Sequence, residues 1–417
     1  MAAGRILRYS TFSLAASVGA LKISKEISDK RKEITPNSKP NLELILVQIA
    51  FRHGARTPIF RSPCQELDEV TWPAQLHIGA LPHTAADYEM KHVSGGPSPI
   101  SETNDRLLKK LLKGGSPVGQ LTKVGQQQMY DLGKRHAKTY VNDLEFLQDT
   151  FNPKEIYVRT TNFQRTIDSA RCVVAGMFGK EQLKGLTIHT EDEDKEILYP
   201  NSDYCKTLRN WLRYSLSYEG VTSVQGFQDR QQKIHQALAI NYHDKPNVAI
   251  HLRDIVVTMM AHDMEVPKAI IQVLNVIEEQ ALQLFLSMQC GISQQSRRKV
   301  LSLSVGLFLQ HIMDNFDKKI NDENDYKLML FSAHDTTVVP LLLALRVFDD
   351  KWPDFAADVA FELYRDKNRV HYVRVLYKDE EKIIPGCSSP ICPLDKFKAL
   401  VSEYFVDNWE QDCNAKL

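Results

Sequence analysis

Leu44-Ile45-Leu46-Val47-Gln48-Ile49-Ala50-Phe51 runs directly into Arg52-His53-Gly54-Ala55-Arg56-Thr57-Pro58. The apolar run is too short to span a membrane and too continuous for a strand with one wet face. It reads as a buried parallel strand. The segment behind it puts two arginines and a histidine around a glycine at the strand's C-terminal end, where open α/β sheets hold their ligands. Two guanidiniums a few residues apart suit an oxyanion with several equatorial oxygens, because each donates in a planar fork. A histidine between them can attack phosphorus with one ring nitrogen while a hydrogen bond holds the other. Gly54 is expected to bring the backbone close to the ligand.

Two later segments repeat the pattern. Glu155-Ile156-Tyr157-Val158 leads into Arg159-Thr160-Thr161-Asn162, and Lys327-Leu328-Met329-Leu330-Phe331 leads into Ser332-Ala333-His334-Asp335-Thr336-Thr337. Each is a short strand pattern that delivers polar residues and then opens a helix. Three strands thus aim Arg52, His53, Arg56, Arg159, His334 and Asp335 at one sheet edge. His262-Asp263 also follows an apolar stretch. The later pair is preferred because Thr336 offers an N-cap and Val338-Val339-Pro340-Leu341 a buried helix whose N-terminus can face an anion. The earlier pair reads as an interhelical turn.

The signature, the two later segments, Gly119 to Gly125, Phe361-Glu362-Leu363-Tyr364 and Cys387…Cys392-Pro393-Leu394-Asp395 resemble the histidine acid phosphatase family, branch 2 of the histidine phosphatase superfamily. The likeness covers roughly residues 40 to 410 and is strongest to its lysophosphatidate phosphatase group. It implies a metal-independent phosphomonoesterase without a cofactor. His53 would be the nucleophile and Asp335 the proton donor, with Arg52, Arg56, Arg159 and His334 as phosphate ligands. It implies a lysophospholipid substrate, with phosphoprotein or inositol phosphate specificity or a non-catalytic lipid-binding member of the fold as alternatives, and a Cys387–Cys392 disulfide. The expected fold is α/β, a largely parallel central sheet flanked by helices with an inserted helical cap lobe. The core falls at about 41–185 and 325–417, and the lobe at about 190–320.

Composition agrees with an ordinary globular chain: 417 residues, 43% hydrophobic and 25% charged. The 52 basic and 52 acidic residues cancel, so no overall field recruits nucleic acid or a membrane. No run is long enough for a transmembrane helix. A monomer with at most transient membrane-surface contact is expected. No P-loop, no Gly-x-Ser-x-Gly elbow, no Cys-x5-Arg and no zinc spacing is present. Seven cysteines are too few for a disulfide framework.

The first 32 residues differ from the rest. Arg5, Arg8, Lys22 and Lys25 precede any acid, serines recur, and Leu7, Leu14, Val18 and Leu21 share a helical face. This reads as a mitochondrial transit peptide followed by a linker at 33–40, with a secretory signal as the rival. Residues 60–118 form a proline- and glycine-rich insertion with a short basic helix at Asp105 to Lys113. Trp72, Leu76, Leu81 and Tyr88 in it either wall the site or anchor the loop. Helices are expected at Leu121 to Tyr140, capped by Thr122, and at Phe163 to Phe178, where Arg165 and Arg171 read as structural or solvent-facing. In the lobe, Val266 to Met288 and Ser293 to Phe316 read as long helices. Met259, Met260, Met264 and Met288 read as core packing, with a lipid-facing surface as the alternative. Asp358 to Tyr364 and His371 to Lys378 read as an edge hairpin.

Overall fold

The apolar run forms strand β1, Glu43–Arg52, in a computed structural model that describes residues 42–240, 246–291 and 293–415. The leader and its targeting readings lie outside the described residues. In chain order follow β2 (Glu89–His92), α1 (Glu102–Leu108), α2 (Lys123–Ala137), β3 (Ile156–Thr160), α3 (Gln164–Phe178) and β4 (Thr187–Thr190). A helical stretch comes next: α4 (Lys206–Ser215), α5 (Tyr218–Thr222), α6 (Phe227–Leu238), α7 (Val248–Ala261), α8 (Lys268–Gln272), α9 (Leu274–Cys290), α10 (Gln294–Leu301) and α11 (Leu307–Ile320). The chain then returns to the sheet with β5 (Leu328–Ala333), α12 (Asp335–Ala344), β6 (Asp358–Arg365), β7 (His371–Tyr377), β8 (Glu380–Lys382) and β9 (Ile391–Pro393), and ends on α13 (Leu394–Val401) and α14 (Trp409–Asn414).

Among the described residues nine strands make one sheet, in the order β2-β4-β3-β5-β1-β6-β7-β8, with β9 paired to β7. The pairs from β2 across to β1 are parallel, and β7 is antiparallel to β6, β8 and β9. The hairpin therefore forms as expected, although β8 and not the hairpin itself closes that end. β1 is buried on both faces, which explains its continuous apolar run. Val47, Ile49 and Phe51 face the layer that holds Met129 of α2 and Val173 of α3. Leu46 and Ala50 face Phe308 and Phe316 of α11. Full burial of a side chain such as Phe51 contributes roughly 2–3 kcal/mol. The one polar residue of the run is satisfied: Gln48 donates to the Ile312 carbonyl at 2.9 Å and accepts from Asn315 at 2.8 Å.

The expected long helices are interrupted. α8 and α9 break at Val273, and a π-helical turn, Ser302–Gly306, joins α10 to α11. α11 packs on the sheet, so the stretch with a separate core is narrower than 190–320. That core unites α6 to α9 with Trp72, Leu67 and Leu76 of the insertion. Trp72 and Leu76 thus anchor the insertion to the helices and do not wall the site. Tyr88 packs against the α2–α3 layer, and Met259 is core while Met260 is exposed. The insertion's helix lies earlier than expected, at Glu102–Leu108.

The expected Cys387–Cys392 disulfide is present, and a second joins Cys205 to Cys413. The second was missed because a separation of 208 residues leaves no spacing signal. Among the described residues no helix is long and apolar enough to cross a membrane.

Candidate active site

Register brings the three strand ends level. Arg52 pairs with Ala333, and Thr160 pairs with Ser332. The next residues therefore meet at one edge: the His53 amide donates to the Ala333 carbonyl at 3.0 Å, and the Thr161 amide to Ser332 at 3.3 Å. His53 and His334 stand edge to face, 5.6 Å between centroids. Above them opens a cavity of about 320 Å³ lined by His53, Arg56, Arg165, His334 and Asp335, with Ile59, Phe163, Tyr199, Tyr204 and Gln289 further out.

His53 is fully buried, and its Nδ1 donates to the Gly54 carbonyl at 2.8 Å in the neutral form. That bond selects the tautomer whose Nε2 carries a free lone pair. Burial, reinforced by Arg165, Arg56 and Arg52, holds its pKa well below the ordinary histidine value. The ring is therefore an unprotonated nucleophile over a wide pH range. His334 is kept neutral in the same way, by burial and then Arg165. Its Nε2 meets Thr161 Oγ1 at 2.9 Å, and Nδ1 faces Arg165 at 3.4 Å.

The two oxygens of the Asp335 carboxylate are held unequally. Oδ2 receives Trp352 Nε1 and Arg52 Nη2, both at 2.9 Å, whereas Oδ1 accepts the Thr336 amide. Burial alone would raise this carboxyl, but Arg52 and the Trp352 N–H outweigh it and hold the pKa at about 2. Trp352 is itself clamped between Phe285, 4.2 Å away, and the Arg253 guanidinium, 4.2 Å from its ring.

Four expectations change here, those for Arg159, Arg165, Arg52 and Gly54. Arg159 does not reach the cavity. Its guanidinium pairs with buried Glu196 at 3.0 Å, and Glu196 also accepts the Ile197 and Leu198 amides. Arg165 stands in its place, in the first turn of α3, stacked 4.6 Å over Phe163. It is buried, neither solvent-facing nor merely structural, and its Nε and Nη1 have no hydrogen-bond partner. Burial and the neighbouring Arg56 charge depress its pKa to about 9. An anion between these guanidiniums would relieve both costs. Arg52 also lies off the cavity lining. It donates to the Pro353 carbonyl at 2.5 Å, stacks 4.4 Å over Phe355 and holds Asp335. Gly54 serves a helix and not a ligand: a Cβ there would meet the Gly125 carbonyl of α2 at 2.4 Å.

Other expectations hold or gain detail. Arg56 faces the cavity and is fixed by Asp254 at 2.8 Å, whose other oxygen accepts the Ile59 amide at 2.8 Å. Asp254 was missed, although a charged pair inside the apolar helix Val248–Ala261 is a readable signal of buried ion pairing. His262 caps the end of α7, bonds Thr122 Oγ1 at 2.8 Å and, with Asp263, stays out of the cavity. Thr122 caps α2 as expected. Thr336 does not cap α12: the helix starts two residues earlier, with His334 at the cap and the Thr337 hydroxyl accepting its amide at 3.3 Å.

A largely parallel sheet with an unprotonated histidine, two guanidiniums and a carboxylate at its C-terminal edge holds the groups that phosphoryl transfer through a histidine requires. Comparison with known proteins is specific: residues 43–378 match the family model of the histidine phosphatase superfamily (branch 2), and the chain belongs to that family. It is 37% identical over 375 residues to lysophosphatidic acid phosphatase type 6 of Homo sapiens, covering 88% of this chain and 85% of that protein. It is 25% identical over 395 residues to prostatic acid phosphatase of Bos taurus, covering 89% of this chain and 88% of that one. Among solved structures the apo Hafnia alvei phytase shares the fold, with TM-score 0.59 over 91% of this chain and all (100%) of that chain at 16% identity.

Proposed function

We propose that this phosphomonoesterase cleaves lysophosphatidate to monoacylglycerol and phosphate through a phosphohistidine. The observation that carries the chemistry is the convergence of His53, Arg56, Arg165, His334 and Asp335 on one cavity, with His53 Nε2 left free. The phosphate sits between Arg56, Arg165 and His334, and Arg165 offers its two unpartnered donors. His53 Nε2 forms a bond to phosphorus as the ester P–O bond breaks, and Asp335 delivers a proton to the departing alkoxide. Water then attacks phosphorus, Asp335 takes its proton, and the P–N bond breaks. Oδ1, which accepts a single amide where Oδ2 takes two donors, is the oxygen that carries that proton. At a pKa of about 2 the carboxyl of the empty site is ionised. A bound phosphate raises it, and the monoanionic ester brings the proton that Asp335 uses. Arg52, together with Trp352, orients Asp335.

The lipid assignment rests on the relatives named for lysophosphatidate. Two features of the cavity support it over an inositol polyphosphate. Glu193 and Asp203 at the wall disfavour further phosphates, and Ile59, Phe163, Tyr199 and Tyr204 give an acyl glycerol an apolar exit. Each methylene buried there changes kcat/KM by about fourfold, from about 0.8 kcal/mol. Measured kcat/KM should rise steeply from glycerol 3-phosphate to long-chain lysophosphatidate and fall for the diacyl lipid. A flat series removes the lipid assignment. Acid-labile label from radioactive substrate should appear on wild-type protein and vanish in His53→Ala. The leader's composition supports a mitochondrial address, and two disulfides support an oxidising space over a reducing matrix. Fractionation with thiol trapping tests both.

A further inference from the structure

Arg106-Leu107-Leu108-Lys109-Lys110-Leu111-Leu112-Lys113 holds four cations and no acid. It covers the end of α1 and one arm of a tight hairpin, in which Leu112 donates to the Ser116 carbonyl at 2.8 Å and Val118 to Lys110 at 2.9 Å. Strand-like alternation in that arm turns Leu112 inward, against the cluster of Trp72 and Leu67, and Leu111 outward. Leu111 is 62% exposed, Leu108 38% and nearby Ile100 82%. A single exposed apolar side chain is ordinary. Three within twelve residues, interleaved with cations, form a surface of a particular kind. Lys109 and Lys110 are exposed and have no ion pair among the described residues. Arg61 and Lys113, the latter paired with Glu69 at 2.7 Å, flank the same side and line one shallow groove with Leu111 and Asp68, so the unpaired charge is that of Lys109 and Lys110.

This surface is bonded to the catalytic mouth. Arg106 donates to Thr103 Oγ1 at 2.9 Å, and Thr103 lines the catalytic cavity. Behind the hairpin, the Pro117 carbonyl accepts the Thr57 hydroxyl at 2.7 Å, and the Gly119 amide donates to the Pro58 carbonyl at 3.0 Å. The hairpin is thus tied to the signature segment that carries His53.

We propose that residues 106–113, with Ile100, dock the enzyme on an anionic lipid surface, leucines in the interface and lysines on the head groups, with the cavity mouth beside it. Charge complementarity selects the occupant: free cations around exposed leucines suit an anionic leaflet better than a neutral one. The proposal extends the lipid-phosphate reading, but vesicle binding is measured without turnover, so each stands or falls alone.

The test is cosedimentation of the full chain with vesicles of phosphatidylcholine, with and without phosphatidylserine, across a salt series. Wild type should bind the anionic vesicles, more weakly as salt rises. A lysine close to an anionic leaflet is worth about fivefold in affinity, so Lys109→Gln with Lys110→Gln should lose about 25-fold. Leu108→Ser with Leu111→Ser should lose about tenfold or more, including the binding that survives high salt. Both variants should keep wild-type melting and hydrolysis of soluble p-nitrophenyl phosphate. Wild type remaining in the supernatant overturns the proposal, and so do variants that bind as well as wild type, which would move the contact to another part of the chain.

Discussion

Replacing Arg165 and Arg159 in turn separates a phosphate ligand from a structural cation. Arg165 has two buried donors, Nε and Nη1, without partners in the empty site. Hydrogen bonds to a charged group are worth about 1.5–3 kcal/mol each. Arg165→Ala should therefore lose about 3–6 kcal/mol of transition-state stabilisation, or roughly 10²–10⁴ in kcat/KM. Stability should change little or rise, because the empty site is relieved of a cation crowded by Arg56. Arg159→Ala should do the reverse. It leaves Glu196 buried without its counter-charge, and losing one partner of a buried pair costs on the order of 3–5 kcal/mol. Protonation of Glu196 softens that cost, since burial already raises its pKa. Adding Glu196→Gln should restore part of the stability. The assay is p-nitrophenyl phosphate turnover per folded molecule together with the urea midpoint. A hundredfold loss in kcat/KM for Arg159→Ala at wild-type midpoint, with Arg165→Ala nearly normal, would falsify the assignment.

Further expectations concern the acid, metals and pH. Trp352→Phe removes the N–H from Asp335 but keeps the stack on Arg253. It should slow esters with poor leaving groups far more than aryl phosphates and shift the acid limb of the kcat profile upward; equal slowing of both classes would mean lost packing only. Asp263→Asn should leave both classes unchanged. Activity should survive exhaustive chelation, because the Arg56 and Arg165 guanidiniums already offset the phosphate charge; loss restored by a divalent cation contradicts this. His53, His334 and His311 are held below the usual histidine range, mainly by burial, with His311 near 3. The unfolded chain protonates them near 6.5, so their folding penalty is absent above that pH and grows as pH falls below it. Asp335 and Asp358, each held at about 2, contribute stability that is complete above pH ~4 and lost as pH falls toward 2. Urea midpoints should fall from about pH 6 downward, and phosphate should shift the decline to lower pH. A midpoint flat from pH 7 to 4 contradicts this.

Local chemistry determined which strands are buried and which segments carry polar residues to the sheet edge. A continuous apolar run can only be satisfied between two layers, and its polar successor can only emerge at the rim. That was enough to bring His53, Arg56, His334 and Asp335 to the rim where they line one cavity. It was not enough to choose between two arginines six residues apart. Arg159 leaves β3 toward Glu196, while the first turn of α3 folds Arg165 back over the same edge, and sequence distance carries no information about that turn. Nor does it show that Arg52 faces Asp335, that Asp254 and Trp352 arrive from remote segments, or that Cys205 finds Cys413. Gly54 makes the same point. Its need for an absent side chain was readable, but the neighbour that imposes it, the Gly125 backbone, was decided by helix packing. Contacts between residues far apart in the chain exist only once the layers close, and the electrostatics of this site consist mostly of such contacts.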